Sequence, residues 1–127
     1  MNVLLIEPDP LQASMYRAAI QRENHTVAHA VSAQSAIHVA DTFAPDVVVL
    51  EVQMPGHNGI EFLYEFRSYA EWMDIPVIIY SFMPSRELER STTLRSELGV
   101  KRVLYKPTTA LSSLCAAVNQ QVATLVS

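Results

Sequence analysis

The sequence has a single cysteine, Cys115, which excludes an internal disulfide framework, and only four scattered histidines to accompany it, so no structural zinc site is expected. Charge is also scarce. Charged residues make up 17% of the chain and the formal net charge is −4, which indicates neither a basic nucleic-acid surface nor a disordered acidic tail. No long hydrophobic run opens the chain: in MNVLLIEPDP a few apolar residues meet acids and prolines too early for a signal peptide or a membrane span. That opening reads as a strand. With a mildly acidic surface and a reduced thiol, the expected compartment is cytoplasmic. What the chain does have is apolar residues at half of its 127 positions, enough for one well-filled core, so residues 1–127 are read as a single domain.

Short β-rich apolar runs occur at Val3–Ile6, Val27–Val31, Val47–Leu50, Val77–Tyr80 and Arg102–Tyr105. Segments long enough for helices separate them, and this alternation argues for an α/β fold with a parallel sheet covered on both faces. The runs at 47–50 and 77–80 lack polar alternation, as expected of central strands. A first helix is predicted from Asp9-Pro10, with Asp as N-cap and Pro in the first turn, an apolar face of Leu11, Met15, Ala18 and Ala19, and an end at Asn24. A second follows Ser32 as N-cap, with Ala36, Ile37, Ala40 and Phe43 at helical spacing. A third starts near Gly59 and carries Ile60, Leu63 and Phe66. A fourth runs from about Ser85 to Leu98 and is ended by Gly99. The fifth begins near Thr108 and continues almost to the end.

That last segment contains no charged residue, although Leu111, Leu114, Cys115, Val118 and Val122 already form a core stripe. Its outer face is tolerated as it stands or is covered by another chain, because charge depletion marks interface cores. Cys115, on the stripe, reads as a buried small hydrophobe. Residues 86–106 hold six of the nine basic groups (Arg86, Arg90, Arg95, Lys101, Arg102, Lys106) against three acids, either as a solvated helix face or as a docking surface.

In an open parallel α/β sheet, reactive groups collect beyond the carboxyl ends of the strands. Here those ends carry Glu7-Pro8-Asp9, Glu51, Ser81 and Lys106-Pro107. The segments VLLIEPDP, PDVVVLEVQMPGHNG, IPVIIYS and YKP, in this order and spacing, resemble the receiver domains of bacterial two-component response regulators, and the resemblance covers essentially the whole chain. It implies a flavodoxin-like, doubly wound five-stranded parallel sheet of order 2-1-3-4-5 with five helices. It also implies acids after strand one that hold Mg²⁺, a phosphoacceptor aspartate after strand three, a hydroxyl after strand four and a lysine after strand five, which together bind the phosphoryl oxygens.

Carried over by motif, Glu7 takes one acidic position and Pro8 falls on the second. Glu51 falls on the phosphoacceptor, Gln53 on the residue whose carbonyl faces the metal, Ser81 on the hydroxyl and Lys106 on the amine. Glutamate sets its carboxylate roughly 1.5 Å further out than aspartate, and in-line phosphoryl transfer depends on position, so Glu51 is expected to be a poor acceptor. With Pro8 in place of an acid, Mg²⁺ binding at the remnant Glu7, Asp9 and Gln53 is expected to be weak or absent, and no cofactor is implied. Asp9 reads first as a helix cap, and His57 as a loop side chain. Glu51 instead extends toward Ser81 and Lys106, as a partial mimic of the active state or as an inert ion pair. The Lys106-Pro107 peptide is usually cis in the family. The family's aromatic switch position is Val103 here, with Tyr105 on the same strand face.

The function this implies is non-enzymatic signalling by protein contact. The docking face is the fourth helix, fifth strand and fifth helix, with Arg86, Arg90, Val103, Tyr105, Ala116, Asn119 and Gln120 as its candidate residues. Its partner is a second copy or another signalling protein, such as a histidine kinase or an output protein, and not nucleic acid or a membrane. Two alternatives stand beside it: slow residual phosphotransfer, and a small phosphatase-like domain using Glu7 and Asp9. Flavin binding is disfavoured, since the loop after strand one lacks a Gly, Ser or Thr-rich run to wrap a phosphate.

Overall fold

The computed structural model describes the backbone of residues 1–55 and 57–126, and the side chains of these residues other than His57, Ser85 and 122–126. Seven strands and six α-helices follow in chain order: β1 (Asn2–Ile6), α1 (Pro10–Gln21), β2 (Thr26–Ala30), α2 (Ala33–Phe43), β3 (Val47–Leu50), β4 (Gln53–Met54), β5 (His57–Asn58), α3 (Gly59–Arg67), β6 (Val77–Ser81), α4 (Ser85–Glu89), α5 (Thr92–Ser96), β7 (Val100–Tyr105) and α6 (Leu111–Val126). The main sheet has the order β2-β1-β3-β6-β7 and every pairing in it is parallel. With the two-residue hairpin β4–β5 set aside, this is the flavodoxin-like order 2-1-3-4-5 expected from the sequence.

Alternation along the strands builds two apolar layers. Leu4, Ile6, Val48, Leu50, Val77 and Ile79 face α2, α3, α4 and α5, meeting Ala36, Ala40, Phe62, Phe66, Leu88 and Leu94. Val3, Leu5, Val47, Val49, Ile78 and Leu104 face α1 and α6, meeting Tyr16, Ile20, Leu114 and Val118. Each large side chain removed from water here contributes about 1.5–3 kcal/mol, which is what fixes the strand register against slipping. Cys115 lies buried in the second layer, where burial pushes its thiol pKa up.

Helix starts follow their caps. Asp9 accepts from the backbone N–H of Leu11 (2.9 Å) and Gln12 (3.3 Å), Ser32 forms a capping box with Ser35, and Asn58 accepts from Ile60 N–H (2.8 Å). Asn24 takes a left-handed φ of 66° just beyond α1. Gly59 is required by close approach, since a Cβ there would lie 2.6 Å from Val52 Cα.

Several expectations are corrected. The face that α1 buries is Ala13, Tyr16, Ala19 and Ile20, whereas Leu11 is 75% and Met15 50% exposed. Tyr16 sets this phase: its ring packs edge-on against Tyr80 at 5.0 Å and its hydroxyl donates to Gln12 at 2.7 Å. The helix expected over 85–98 is two short helices, so the described residues form six α-helices and not five. Ser91 breaks the run because its side chain caps α5, accepting from Leu94 N–H at 3.3 Å. The last helix starts at Leu111 after a 3₁₀ turn over Lys106–Thr108. Pro107 opens that turn, and no cis peptide occurs among the described residues, so the cis Lys106-Pro107 junction is not found. Leu111, at the start of that helix, is exposed and does not join the core stripe expected of it, and Val122 lies outside the described side chains.

Candidate functional site

The carboxyl ends of β1, β3, β6 and β7 bring Glu7, Glu51, Ser81 and Lys106 together at the centre of the sheet rim. All four are buried, at 3%, 4%, 0% and 8% exposure. Polar groups survive such burial only when their hydrogen bonds are made, and among the described residues no buried side-chain polar atom lacks a partner.

Lys106 is the hub. Its ammonium lies 2.5 Å from Glu7 Oε1, 3.0 Å from Glu51 Oε1 and 3.2 Å from Gln12 Oε1, so its three donors are spent. Three rings surround the same nitrogen: Phe82 at 4.8 Å, Tyr16 at 5.3 Å and Tyr80 at 5.7 Å from their centroids. Burial, with the charges of Glu7, Glu51 and Asp9, pushes the Tyr16 pKa up to about 12. Burial raises Tyr80 as well, and its hydroxyl donates to Thr109 O at 3.2 Å.

Glu51 is held at both oxygens. Oε1 accepts from Lys106 and from Phe82 N–H (3.1 Å), while Oε2 accepts from the Ser81 hydroxyl and from Gln53 N–H (3.1 Å). Ser81 Oγ in turn accepts from Met83 N–H at 3.0 Å. One carboxylate thereby ties the end of β3 to the loop that leads from β6 into α4. The extra methylene of glutamate is what carries it to Ser81 and Phe82.

Glu7 is equally committed: Oε2 accepts from Asp9 N–H at 3.0 Å, and its own carbonyl bonds His29 Nε2 at 2.8 Å. The Asp9 carboxylate caps α1 and accepts from Gln12 Nε2 (3.2 Å), so it serves the helix. Gln53 is exposed and reaches the site through its backbone. Pro8 is half-buried beside these groups and offers no ligand.

Of the proposed docking residues, Tyr105 adjoins this rim, next to Lys106 and paired with Ser81. Arg86, Arg90, Ala116 and Gln120 are exposed, while Val103, Tyr105 and Asn119 are half-buried. Register pairs Val103 with Ile79 and Tyr105 with Ser81, which puts both side chains on one face of β7. Asn119 bonds His25 (2.7 Å) and Gln120 accepts from Arg102 (3.4 Å). Gly56 and the His57 side chain lie outside the described residues.

Gln12, Tyr16 and Phe82 belong to the site but were not singled out from sequence. Gln12 and Tyr16 stand one turn apart on α1, and Phe82 directly follows Ser81. The i, i+4 spacing and the adjacency are the signals that were available.

Comparisons with known proteins agree with this architecture. The family model described as "Response regulator receiver domain" matches residues 3–119. Among curated proteins, the chain is 34% identical over 80 residues to the transcriptional regulatory protein MalR of Bacillus subtilis (61% of this chain, 34% of that one). It is 29% identical over 106 residues to the KDP operon regulator KdpE of Escherichia coli (84% and 44%) and 27% identical over 106 residues to PilH of Pseudomonas aeruginosa (84% and 85%). The chain thus spans less than half the length of the first two. Among solved structures, a sensor protein from Polaromonas sp. JS666 superposes with a TM-score of 0.86 at 18% identity (97% of this chain, 96% of that one), a likeness of fold. The receiver domain of Francisella response regulator 1452 gives 0.79 at 25% identity (94% of each chain). With a receiver model matched over nearly its whole length and the family's sheet order in place, the chain belongs to the response regulator receiver domains, which act in signal transduction.

Proposed function

We propose that this receiver domain signals by protein contact without an ordinary phosphorylation cycle, as a pseudo-receiver in which Glu51 stands where family members carry the phosphoacceptor aspartate. The observation that carries this reading is the state of the Glu51 carboxylate. It is 4% exposed and already accepts from Lys106, Ser81, Phe82 N–H and Gln53 N–H, the donors a phosphoryl group would need. A nucleophile in that state has neither a free lone pair nor an in-line approach.

The residues present fit a magnesium ion poorly. The ammonium of Lys106 stands between the Glu7 and Glu51 carboxylates, Asp9 is committed to the helix cap, and Pro8 replaces the other acid. Among the described residues no three His, Cys, Asp or Glu groups cluster as metal ligands do. Our reading therefore gives the site no cofactor and no catalytic residue.

By tying β6 and its loop to β3, Glu51 acts as a built-in, partial mimic of a phosphorylated state, carrying one negative charge where a phosphoryl group carries roughly −1.5 to −2. Output passes through the surface of α4, α5, β7 and α6, as a homodimer or against a kinase or output protein. Among the described residues no helix is long and apolar enough to cross a membrane, and we place the domain in the cytoplasm.

The test is incubation with acetyl phosphate and Mg²⁺, followed by intact mass measurement. The expected result is an unchanged mass. A Mg²⁺-dependent gain of one phosphoryl group mapped to Glu51 would overturn the proposal in favour of slow phosphotransfer.

A further inference from the structure

On the face away from α1 and α6, helices α2 and α3 touch but leave a groove between them. Between them and the 3₁₀ turn Ala70–Trp72 lies a groove of about 600 Å³, within the size range of binding clefts. Its floor is apolar: Phe62 and Trp72 are buried, and Ile37 is half-buried. Its rim is acidic. Asp41 on α2 and Glu61 and Glu65 on α3 are all exposed along its length, and no lysine or arginine lines it. Tyr69 closes one end, its ring 4.8 Å from that of Trp72.

This arrangement works against the isolated chain. Glu61 and Glu65 stand at i, i+4 on α3, where like charges destabilise a helix by about 0.2–0.5 kcal/mol, and Asp41 adds a third negative group from the opposite wall. None of the three forms an ion pair among the described residues, where both ion pairs are made by Lys106 at the sheet rim. Arg86, Arg90, Arg95, Lys101 and Arg102 belong to α4, α5 and β7, at the far end of the sheet from β2 and α2, while Arg67 on α3 spends its guanidinium on the carbonyls of Leu98, Trp72 and Ile75, and the exposed His38 shares the groove wall with Asp41. Close packing is the rule between neighbouring helices. Half-buried Ile37 and exposed Tyr69 offer apolar surface between these carboxylates, the complement of an apolar residue flanked by cations.

We infer that the α2–α3 groove is a docking site for a basic amphipathic segment of a partner protein, with one or two apolar side chains seated against Ile37 and Tyr69 and flanking Arg or Lys side chains on Asp41, Glu61 and Glu65. The length of wall fits the ligand. From Ala33 to Asp41, α2 offers about 12 Å, the rise of roughly two turns of a bound helix. The site is separate from the Glu51–Lys106 rim and does not depend on how that rim works.

Trp72 is the chain's only tryptophan and lies in the groove, so its fluorescence reports occupancy directly. The probes are a synthetic peptide of about three helical turns with leucines on one face and arginines on the rest, a scrambled peptide of the same composition without an apolar stripe, and arginine amide. The full chain is titrated with each, and amide chemical shifts are mapped. The expected result is saturable binding of the striped peptide, a change in Trp72 emission, and shifts confined to α2, α3 and residues 69–72. The Glu61→Gln/Glu65→Gln pair should weaken binding by at least about fivefold with a thermal melt that does not fall. No binding, equal binding of the scrambled peptide, equal binding of arginine amide, or insensitivity to the double variant would each overturn the proposal.

Discussion

Lys106 sits between two buried carboxylates, and the asymmetry of that arrangement gives a sharp expectation at the level of single residues. Lys106→Met keeps the volume but leaves Glu7 and Glu51 facing each other at 3–4% exposure with no cation, and removing one partner of a buried ion pair costs about 3–5 kcal/mol. Glu51→Gln keeps the side-chain length and an acceptor oxygen, and it leaves Lys106 paired with Glu7 at 2.5 Å, so the loss should be about 1–3 kcal/mol. Urea unfolding at neutral pH checks the pair. Equal losses in the two variants would show that the charge on Lys106 is not what organises the site. The four central groups were legible in the sequence because strand ends in a parallel sheet converge whatever the loops do. Gln12, Tyr16 and Phe82 were not, because each reaches the lysine through the phase of α1 or the course of one loop, and a shift of one residue in either takes the side chain away.

Among the elements, the five strands of the main sheet were readable to within two residues, though not the β4–β5 hairpin, since runs such as Val47–Leu50 and Val77–Ser81 are buried on both faces and tolerate no polar interruption. Helix phase and continuity were less so. In α1 the apolar residues Leu11 and Met15 compete with Tyr16 and Ile20 for the core, and the larger ring wins because it also finds Tyr80 and Gln12. Between α4 and α5, the run Ser91-Thr92-Thr93 offers the backbone side-chain acceptors, and a cap forms where an uninterrupted helix was expected. Ser91→Ala tests that account. It removes the acceptor for Leu94 N–H and should cost about 1 kcal/mol in urea unfolding, with no rise in far-ultraviolet helical signal. A more helical and equally stable variant would mean that the break has another cause, such as the packing of Leu88 and Leu94 against the sheet.

Across the whole molecule, the sheet order sorts charge. The order β2-β1-β3-β6-β7 sets α2 and its acidic groove over one end and α4, α5 and β7 with their exposed arginines and lysine over the other, while α6 on the opposite layer has no charge at all. The sequence disclosed the basic segment and the uncharged helix. It did not disclose the groove, whose acids come from two helices well separated along the chain. The proposed homodimer uses the surface of α4, α5, β7 and α6, and a two-fold interface sets each patch against its own copy. Arg86 and Arg90 then need acids from the partner copy, and Glu87 and Glu89 on the same exposed helix supply them. Ala116 is exposed on the uncharged helix, one turn before Gln120, which accepts from Arg102, so a second guanidinium there meets a like charge. Sedimentation velocity over a micromolar concentration series should therefore show a reversible dimer for the native chain. For Ala116→Arg the same series should show a monomer with an unchanged melt, because burying an unpaired guanidinium costs several kcal/mol while leaving it exposed on a monomer costs almost nothing. A native chain that stays monomeric, or an arginine variant that dimerises as before, moves the contact off this surface and leaves the uncharged face of α6 to another partner.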